Sequence, residues 1–310
     1  MHTRSPEVSI GLPVYNGEKY LTNALNRLLG QEFSDFELII SDNASTDGTQ
    51  DICRLFAGKD RRIRYFRNEK NIGLAANHNR TFELSNGKYF KWAAHDDDFP
   101  STMLARFVKE FRGAPPSVAV VYSYCEYINE RGEVVGMNSD RVHKKSAWPH
   151  KRLGHLLRHI HMYNSPYGLI RASMLRKTRL HGLYPGSDYV LMSELAMLGR
   201  FVEIHEPLLR IRQHPGRTFT ANTTEHKLRE LFAPGEGQHF SFVSIRTRMK
   251  LEVVRSALML PLRPRDKLLC TAVALVKPHW EDFRAYGGKQ KHKVLKWFHL
   301  SGVHMHDAKE

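Results

Sequence analysis

The stretch Gly87-Lys88-Tyr89-Phe90-Lys91-Trp92-Ala93-Ala94-His95-Asp96-Asp97-Asp98-Phe99-Pro100 decides how this chain is read. A run rich in aromatics climbs to its end and stops on three consecutive aspartates; Ser101 and an apolar helical periodicity follow. Three adjacent carboxylates repel one another, so packing alone does not select them. A hard divalent cation relieves the repulsion. Mg²⁺ and Mn²⁺ take oxygen ligands, usually from one or two carboxylates, and share the rest of their coordination with substrate phosphates. A solvated turn or helix cap also explains such a triplet taken alone, so the surrounding chain has to decide.

Working back from the triplet, strands and helices alternate. Val8 to Val14 has apolar residues at alternate positions and breaks at Asn16-Gly17, and a helix with Tyr20, Leu21, Ala24, Leu25 and Leu28 on one face follows. Phe36 to Ser41 reads as a second buried strand ending at Asp42-Asn43, and Ser45-Thr46-Asp47-Gly48 opens a second helix. Ile63 to Arg67 is a third strand, and Asn71-Ile72-Gly73 precedes a third helix. This alternation predicts an α/β fold with a mostly parallel sheet and helices on both faces. Ligands of such sheets bind beyond the carboxyl ends of the strands. Tyr15-Asn16, Asp42-Asn43 and Asp96-Asp97-Asp98 all lie at such ends and are expected to open onto one crevice.

Working forward, Met103, Leu104, Phe107, Val108 and Phe111 predict an amphipathic helix capped by Ser101. Val118 to Tyr124 reads as a strand, with a hairpin around Asn129-Glu130-Arg131-Gly132. Residues 139–151 read as a loop, and Arg152 to His161 as a helix whose histidines form a polar face. Gly186-Ser187-Asp188 begins a helix that stops at Gly199, and separate strands are expected from Arg200 to His205 and Leu208 to Arg212. From about residue 225 the chain becomes helical and basic, with breaks at Pro261, Pro264 and Pro278.

Composition narrows the partners. A net charge of +15 at 41% hydrophobic residues describes a globular chain that meets something anionic: nucleotide phosphates, nucleic acid or an anionic membrane. Residues 241–310 alone hold 14 Lys and Arg against 6 Asp and Glu, with Trp280, Phe283, Tyr286, Trp297 and Phe298 among them. Basic helices with aromatics suit a membrane surface, and an ordinary helical appendage is the alternative. Cys53, Cys125 and Cys270 are far apart and form no zinc or disulfide pattern, which fits a reducing compartment. The N-terminus lacks the apolar core of a signal peptide, and Leu268 to Val276 is too short to span a bilayer.

In order, Val8-Ser9-Ile10-Gly11-Leu12-Pro13-Val14-Tyr15-Asn16-Gly17, Ser41-Asp42-Asn43-Ala44-Ser45-Thr46-Asp47-Gly48-Thr49, Asn71-Ile72-Gly73 and His95-Asp96-Asp97-Asp98 resemble the motif series of the family 2 inverting glycosyltransferases of GT-A fold. The resemblance covers roughly residues 8–215. It implies a GT-A-type, Rossmann-like sheet in residues 1–222, with a nucleotide-binding half at about 8–100 and an acceptor half at about 101–222. Residues 223–310 would form a basic helical C-terminal extension. The implied activity is metal-dependent inverting transfer of a sugar from a nucleotide diphosphate, UDP foremost, to a hydroxyl of a glycan or lipid-linked acceptor in cell-envelope or exopolysaccharide biosynthesis. The enzyme would work in the cytoplasm, at the inner face of the membrane if the basic extension docks there.

By the same resemblance Pro13, Tyr15 and Asn16 would line the base pocket, Asp42 would accept the base N–H, and Asn71 and Gly73 would complete the donor site. Asp96 would reach the ribose and Asp97 the Mn²⁺ or Mg²⁺, with His214 of Arg210-Ile211-Arg212-Gln213-His214 beside metal or phosphate. Asp98 is extra relative to the family pattern and is a further metal candidate, so which two of the three aspartates bind stays open. Asp188 takes the place of the general base, with Ser187 where the family often has glutamate. A non-catalytic nucleotide-sugar binder would bind donor without turnover. A nucleic-acid-binding protein would show steep salt dependence and no response to Mn²⁺, but no nucleic-acid-binding motif is present and no nucleic-acid partner is expected.

Overall fold

The computed structural model describes residues 5–143, 146–159, 165–217, 221, 224–235 and 244–276. Strand β1 (Val8–Val14) pairs in parallel with β2 (Phe36–Asp42) on one side and β4 (Tyr89–Trp92) on the other, and β2 pairs in parallel with β3 (Ile63–Arg67). Helices α1 (Glu18–Leu29), α2 (Thr49–Lys59) and α3 (Leu74–Glu83) make the crossovers. After α4 (Met103–Gly113) the direction changes. The short β7 (Leu169–Arg171) runs antiparallel between β4 and β5 (Val118–Ile128), and β8 (Arg200–Arg212) lies parallel to β5 along its whole length. Strand β6 (Val134–Asn138) folds back on the far half of β5 as the expected hairpin. The eight strands form one mixed, mainly parallel sheet.

The sheet is covered on both faces because its strands alternate. Val8, Ile10, Leu12 and Val14 pack with Leu21 and Leu25 of α1 and with Leu104, Phe107 and Phe111 of α4. Phe90, Trp92, Val120 and Tyr122 face the opposite way, onto α5 (Pro149–His159) and α7 (Ser187–Leu198). The short α6 (Ala172–Leu175) follows β7. Helix α7 is buried nearly all round, so its sequence has no polar stripe.

Three helices follow the sheet: α8 (Glu225–Phe232), α9 (Ile245–Met259) and α10 (Pro264–Val276). Met249, Val253, Ala257, Cys270 and Ala274 join the same core as α7. Arg179 ties the layers together, donating to Glu194 of α7 and to Glu252 of α9, while Ser256 donates to Glu194 at 2.6 Å. The extension therefore shares its core with α5 and α7. Among the described residues no helix is long and apolar enough to cross a membrane. The aromatics Trp280, Phe283, Tyr286, Trp297 and Phe298, Pro278 and the terminal lysines lie outside the described residues.

Two local expectations change. Ser101 does not cap α4; its hydroxyl donates to Glu32, and the free Leu104 N–H is taken by Gln31 Oε1, reaching across from the end of α1. A residue far away in sequence serves as well as a local cap when the fold brings it to the helix start. The two strands expected at 200–205 and 208–212 are one continuous β8, with register shifts against β5 where Pro207 falls.

The other face carries a buried histidine pair. His78 and His181 meet edge-on at 5.4 Å, and His181 meets Trp92 at 4.9 Å. Burial lowers His78 to about 4 and carries His181 well below the usual imidazole range, helped by its neighbour. An unfolded chain binds protons with imidazoles near 6.5, so between that value and about 4 it holds more protons than the folded one. Stability is therefore full above pH 6.5 and declines as pH falls toward 4. Thermal denaturation across that window should show the midpoint dropping, and His181→Phe, which keeps a ring against Trp92, should flatten the decline. An unchanged slope in the variant would remove the pair as its cause.

Candidate active site

The end of β8 grips the aspartate triplet. Asp98 and Arg210 exchange backbone hydrogen bonds at 2.9 and 3.0 Å. Two residues on, Arg212 donates from its backbone N–H to Asp97 Oδ1 at 3.1 Å and from Nε to the Asp96 carbonyl at 3.0 Å. His214 Nε2 then donates to Asp96 Oδ2 at 2.9 Å. Asp96 and Asp97 thus face the C-terminal end of β8.

Asp98 does not join them. Its carboxylate lies 3.1 Å from Nε of Arg27 on α1, which links the triplet to that helix. His214 is likewise engaged with Asp96 and not paired with Asp97. Among the described residues no group of three His, Cys, Asp or Glu side chains is arranged to hold a metal ion. What the triplet offers is two carboxylates.

These two behave oppositely. Burial pulls Asp96 up, but the hydrogen bond from His214 and the charges of His95 and Arg217 outweigh it and hold Asp96 at about 2. Burial, then the adjacent Asp96 charge, push Asp97 up to about 8. Behind them Lys91, fully buried in β4, donates to the Tyr167 carbonyl; burial lowers it to about 7 while Asp97 pulls the other way. Two hard oxygen donors forced together at an open strand end fit a divalent cation that completes its shell with phosphate oxygens.

Asp188 approaches from the other half. It sits in the first turn of α7 after Gly186, whose φ of +86° an L residue adopts only with strain. A side chain at Gly186 would also run into Met249 of α9. The Asp188 carboxylate accepts from the Tyr189 N–H at 3.0 Å. The phenol of Tyr167 joins the two halves: burial first, then the charges of Asp97, Asp96 and Asp188, push it above its ordinary value, with Arg217 opposing. The acid on α7 therefore lies within electrostatic reach of the same phenol as the pair at the end of β4.

The residues expected at the base divide into two sets. Tyr15 is 42% exposed on the loop after β1, free to present its ring face. Asn16, with φ of 50°, accepts from Thr46 N–H and donates its own N–H to Ser45, lacing the first two strand–helix loops together. Pro13 is buried in β1 opposite Ser41. Asp42 departs from expectation. It has no exposed surface, and its carboxylate accepts from Ser45 N–H, Tyr65 Oη and Arg67 Nη1. Asn71 and Gly73 are also turned to the fold. Asn71 accepts from Asn43 and Gly73 N–H, and Gly73 lies under the Phe232 carbonyl of α8.

Sequence reasoning missed Lys91, Tyr167, Arg217 and the anchoring part of Arg212. Lys91 carried a signal, a lysine within an aromatic strand. Tyr167 and Arg217 carried none, because only the fold brings them to the triplet.

Three comparisons bear on this geometry. The model of glycosyl transferase family 2 matches residues 9–179. An uncharacterized glycosyltransferase of Haemophilus influenzae is 23% identical over 269 residues, covering 84% of this chain and 82% of its own. The fold matches S. aureus TarS (residues 1–349) in complex with UDP-GlcNAc, with a TM-score of 0.59 at 17% identity over 96% of this chain and 76% of that one. It also matches a mannosyltransferase from Pyrobaculum calidifontis in complex with GDP-Man and Mn²⁺, with a TM-score of 0.52 at 18% identity over 92% and 85% of the two chains.

The different surroundings of the three aspartates separate their substitutions. Asp96→Asn and Asp97→Asn should abolish the Mn²⁺ dependence of nucleotide binding in calorimetric titration. Asp98→Asn, which loses only its partly exposed pair with Arg27, should retain it and cost within about 1 kcal/mol of stability. Loss of the metal effect in Asp98→Asn alone would reverse the assignment.

Proposed function

The chain belongs to glycosyl transferase family 2 and is a glycosyltransferase, and from that premise we propose that it transfers a sugar from a UDP-sugar, with inversion and with a divalent metal, to a hydroxyl of a glycan or lipid-linked acceptor. The observation that carries the reading is the Tyr167 phenol, which feels Asp96, Asp97 and Asp188 at once. Carboxylates suited to a diphosphate–metal complex and a carboxylate suited to proton transfer thus act on one phenol. A fold neighbour holding UDP-GlcNAc supports a uridine donor, and a second holding GDP-Man and Mn²⁺ supports the metal.

In this reading Tyr15 stacks on the base, and Asp42 acts at one remove by holding Arg67 and Tyr65 at the pocket edge. Asp96 and Asp97 would hold Mn²⁺ or Mg²⁺, which when bound stabilises charge on the leaving diphosphate. Arg217, whose charge already acts on both aspartates, adds to that stabilisation. Asp188, oriented by the Tyr189 N–H, takes the acceptor proton as the acceptor oxygen bonds to the anomeric carbon. The nucleoside diphosphate leaves from the opposite face, so the configuration inverts.

Asp188→Asn should bind donor as the wild type does while kcat falls by about a hundredfold to ten-thousandfold, the usual contribution of a positioned base. Calorimetry with UDP and GDP, each with and without Mn²⁺, alongside single-turnover transfer, makes the test. Tight binding of GDP alone would replace the donor, and an undiminished rate in Asp188→Asn would remove it as the base.

A further inference from the structure

We propose that the outward face of the α9–α10 hairpin is a docking surface for an anionic phospholipid membrane. The two helices pack side by side over α7 and α5, committing Met249, Val253 and Ala257 of α9 and Cys270 and Ala274 of α10 to the core. Their opposite faces point away from the protein. Leu251, Leu258, Leu268, Leu275 and Val276 stand there, with Leu268 71% and Val276 78% exposed. Lys267 Nζ donates to the Leu258 carbonyl, which places the α9 end of this ridge beside the α10 start. The ridge continues to the residue before α5, Trp148, which is 44% exposed and lies under the guanidinium of Arg265 at 5.4 Å. A half-exposed indole beside a cation suits the boundary between lipid headgroups and acyl chains.

Charge selects this occupant among the possible ones. Residues 245–276 hold seven Lys and Arg against two acids, Glu252 and Asp266, and Glu252 is turned inward onto Arg179. A second copy of the same face would set these cations against one another. Residues 277–310 of the chain are also net basic, with seven Lys and Arg against four acids. An anionic bilayer satisfies both halves of the pattern: the aliphatic side chains enter the headgroup boundary and the cations meet lipid phosphates. The proposal does not depend on the donor-site reading.

The test is co-sedimentation of the full chain with phosphatidylglycerol-containing vesicles and with phosphatidylcholine vesicles, for the wild type and for Leu268→Glu/Leu275→Glu. Both leucines are exposed, and an unchanged thermal denaturation midpoint confirms that the variant keeps its fold. The expected result is binding to the anionic vesicles alone, weakening as salt is raised, and about tenfold or more weaker in the variant. No binding by the wild type overturns the proposal. So does equal binding by both proteins, which would place the contact elsewhere in the chain. A wild-type dimer that the double substitution dissociates, without vesicle binding, assigns the face to a second copy and overturns it as well.

Discussion

Arg212 is the constraint on which the site depends. It is nearly buried, with the backbone N–H donating to Asp97, Nε to the Asp96 carbonyl, and Nη1 to the carbonyls of Asn129 and Glu130 at 3.1 Å each. Its guanidinium also covers the ring of Tyr20, whose hydroxyl donates to Glu130. One side chain thus joins the turn after β4, the β5–β6 hairpin, the end of β8 and helix α1. A lysine has no planar fork with which to reach these acceptors together, and truncation would remove the donor from three part-buried carbonyl contacts. Because the contact to Asp97 comes from the backbone of β8, the register of that strand sets where the aspartates point.

That dependence explains what the sequence made legible. The first half of the sheet was readable because each βα unit is local: Val8, Ile10, Leu12 and Val14 alternate along one strand, and the helical faces follow within a few residues. The aspartate triplet was readable because adjacent like charges are costly enough to need a reason. The long β5–β8 pairing and the insertion of β7 between β4 and β5 were not, since they join segments separated by many residues. The separate fates of Asp96, Asp97 and Asp98 were hidden for the same reason. The identity of each aspartate is the same, and only partners from α1 and β8 distinguish them. The partners of Asp42 were hidden too, because Tyr65 and Arg67 come from the neighbouring strand β3.

The electrostatics follow from the same placement. Asp96 is partly open and has the hydrogen bond from His214 and the charge of Arg217, which hold it low, whereas Asp97 is deeper and is pushed up by burial and then by the Asp96 charge. Lys91 lies behind the pair on the strand side and Arg217 toward the end of β8. Such a site is balanced to receive further anionic oxygens together with a cation, which a fully ionised triplet in the same volume would resist.

The C-terminal helices bear on the chemistry from beneath. Met249 of α9 fills the space under Gly186, whose left-handed turn aims the start of α7 and with it Asp188. Two residues further on, Leu251 faces outward, because two steps of an α-helix turn the side chain by about 200°. The inner and outer surfaces of α9 are thus the two sides of one short helix fixed to α7 through Arg179, Glu194 and Ser256. A load borne on the outer face reaches the Gly186 turn through Met249 without an intervening layer. The turn has little freedom to absorb it, since the backbone there already occupies a conformation that only glycine adopts easily and Met249 leaves no room for a side chain. The helix that reads in sequence as an appendage is therefore part of what positions Asp188.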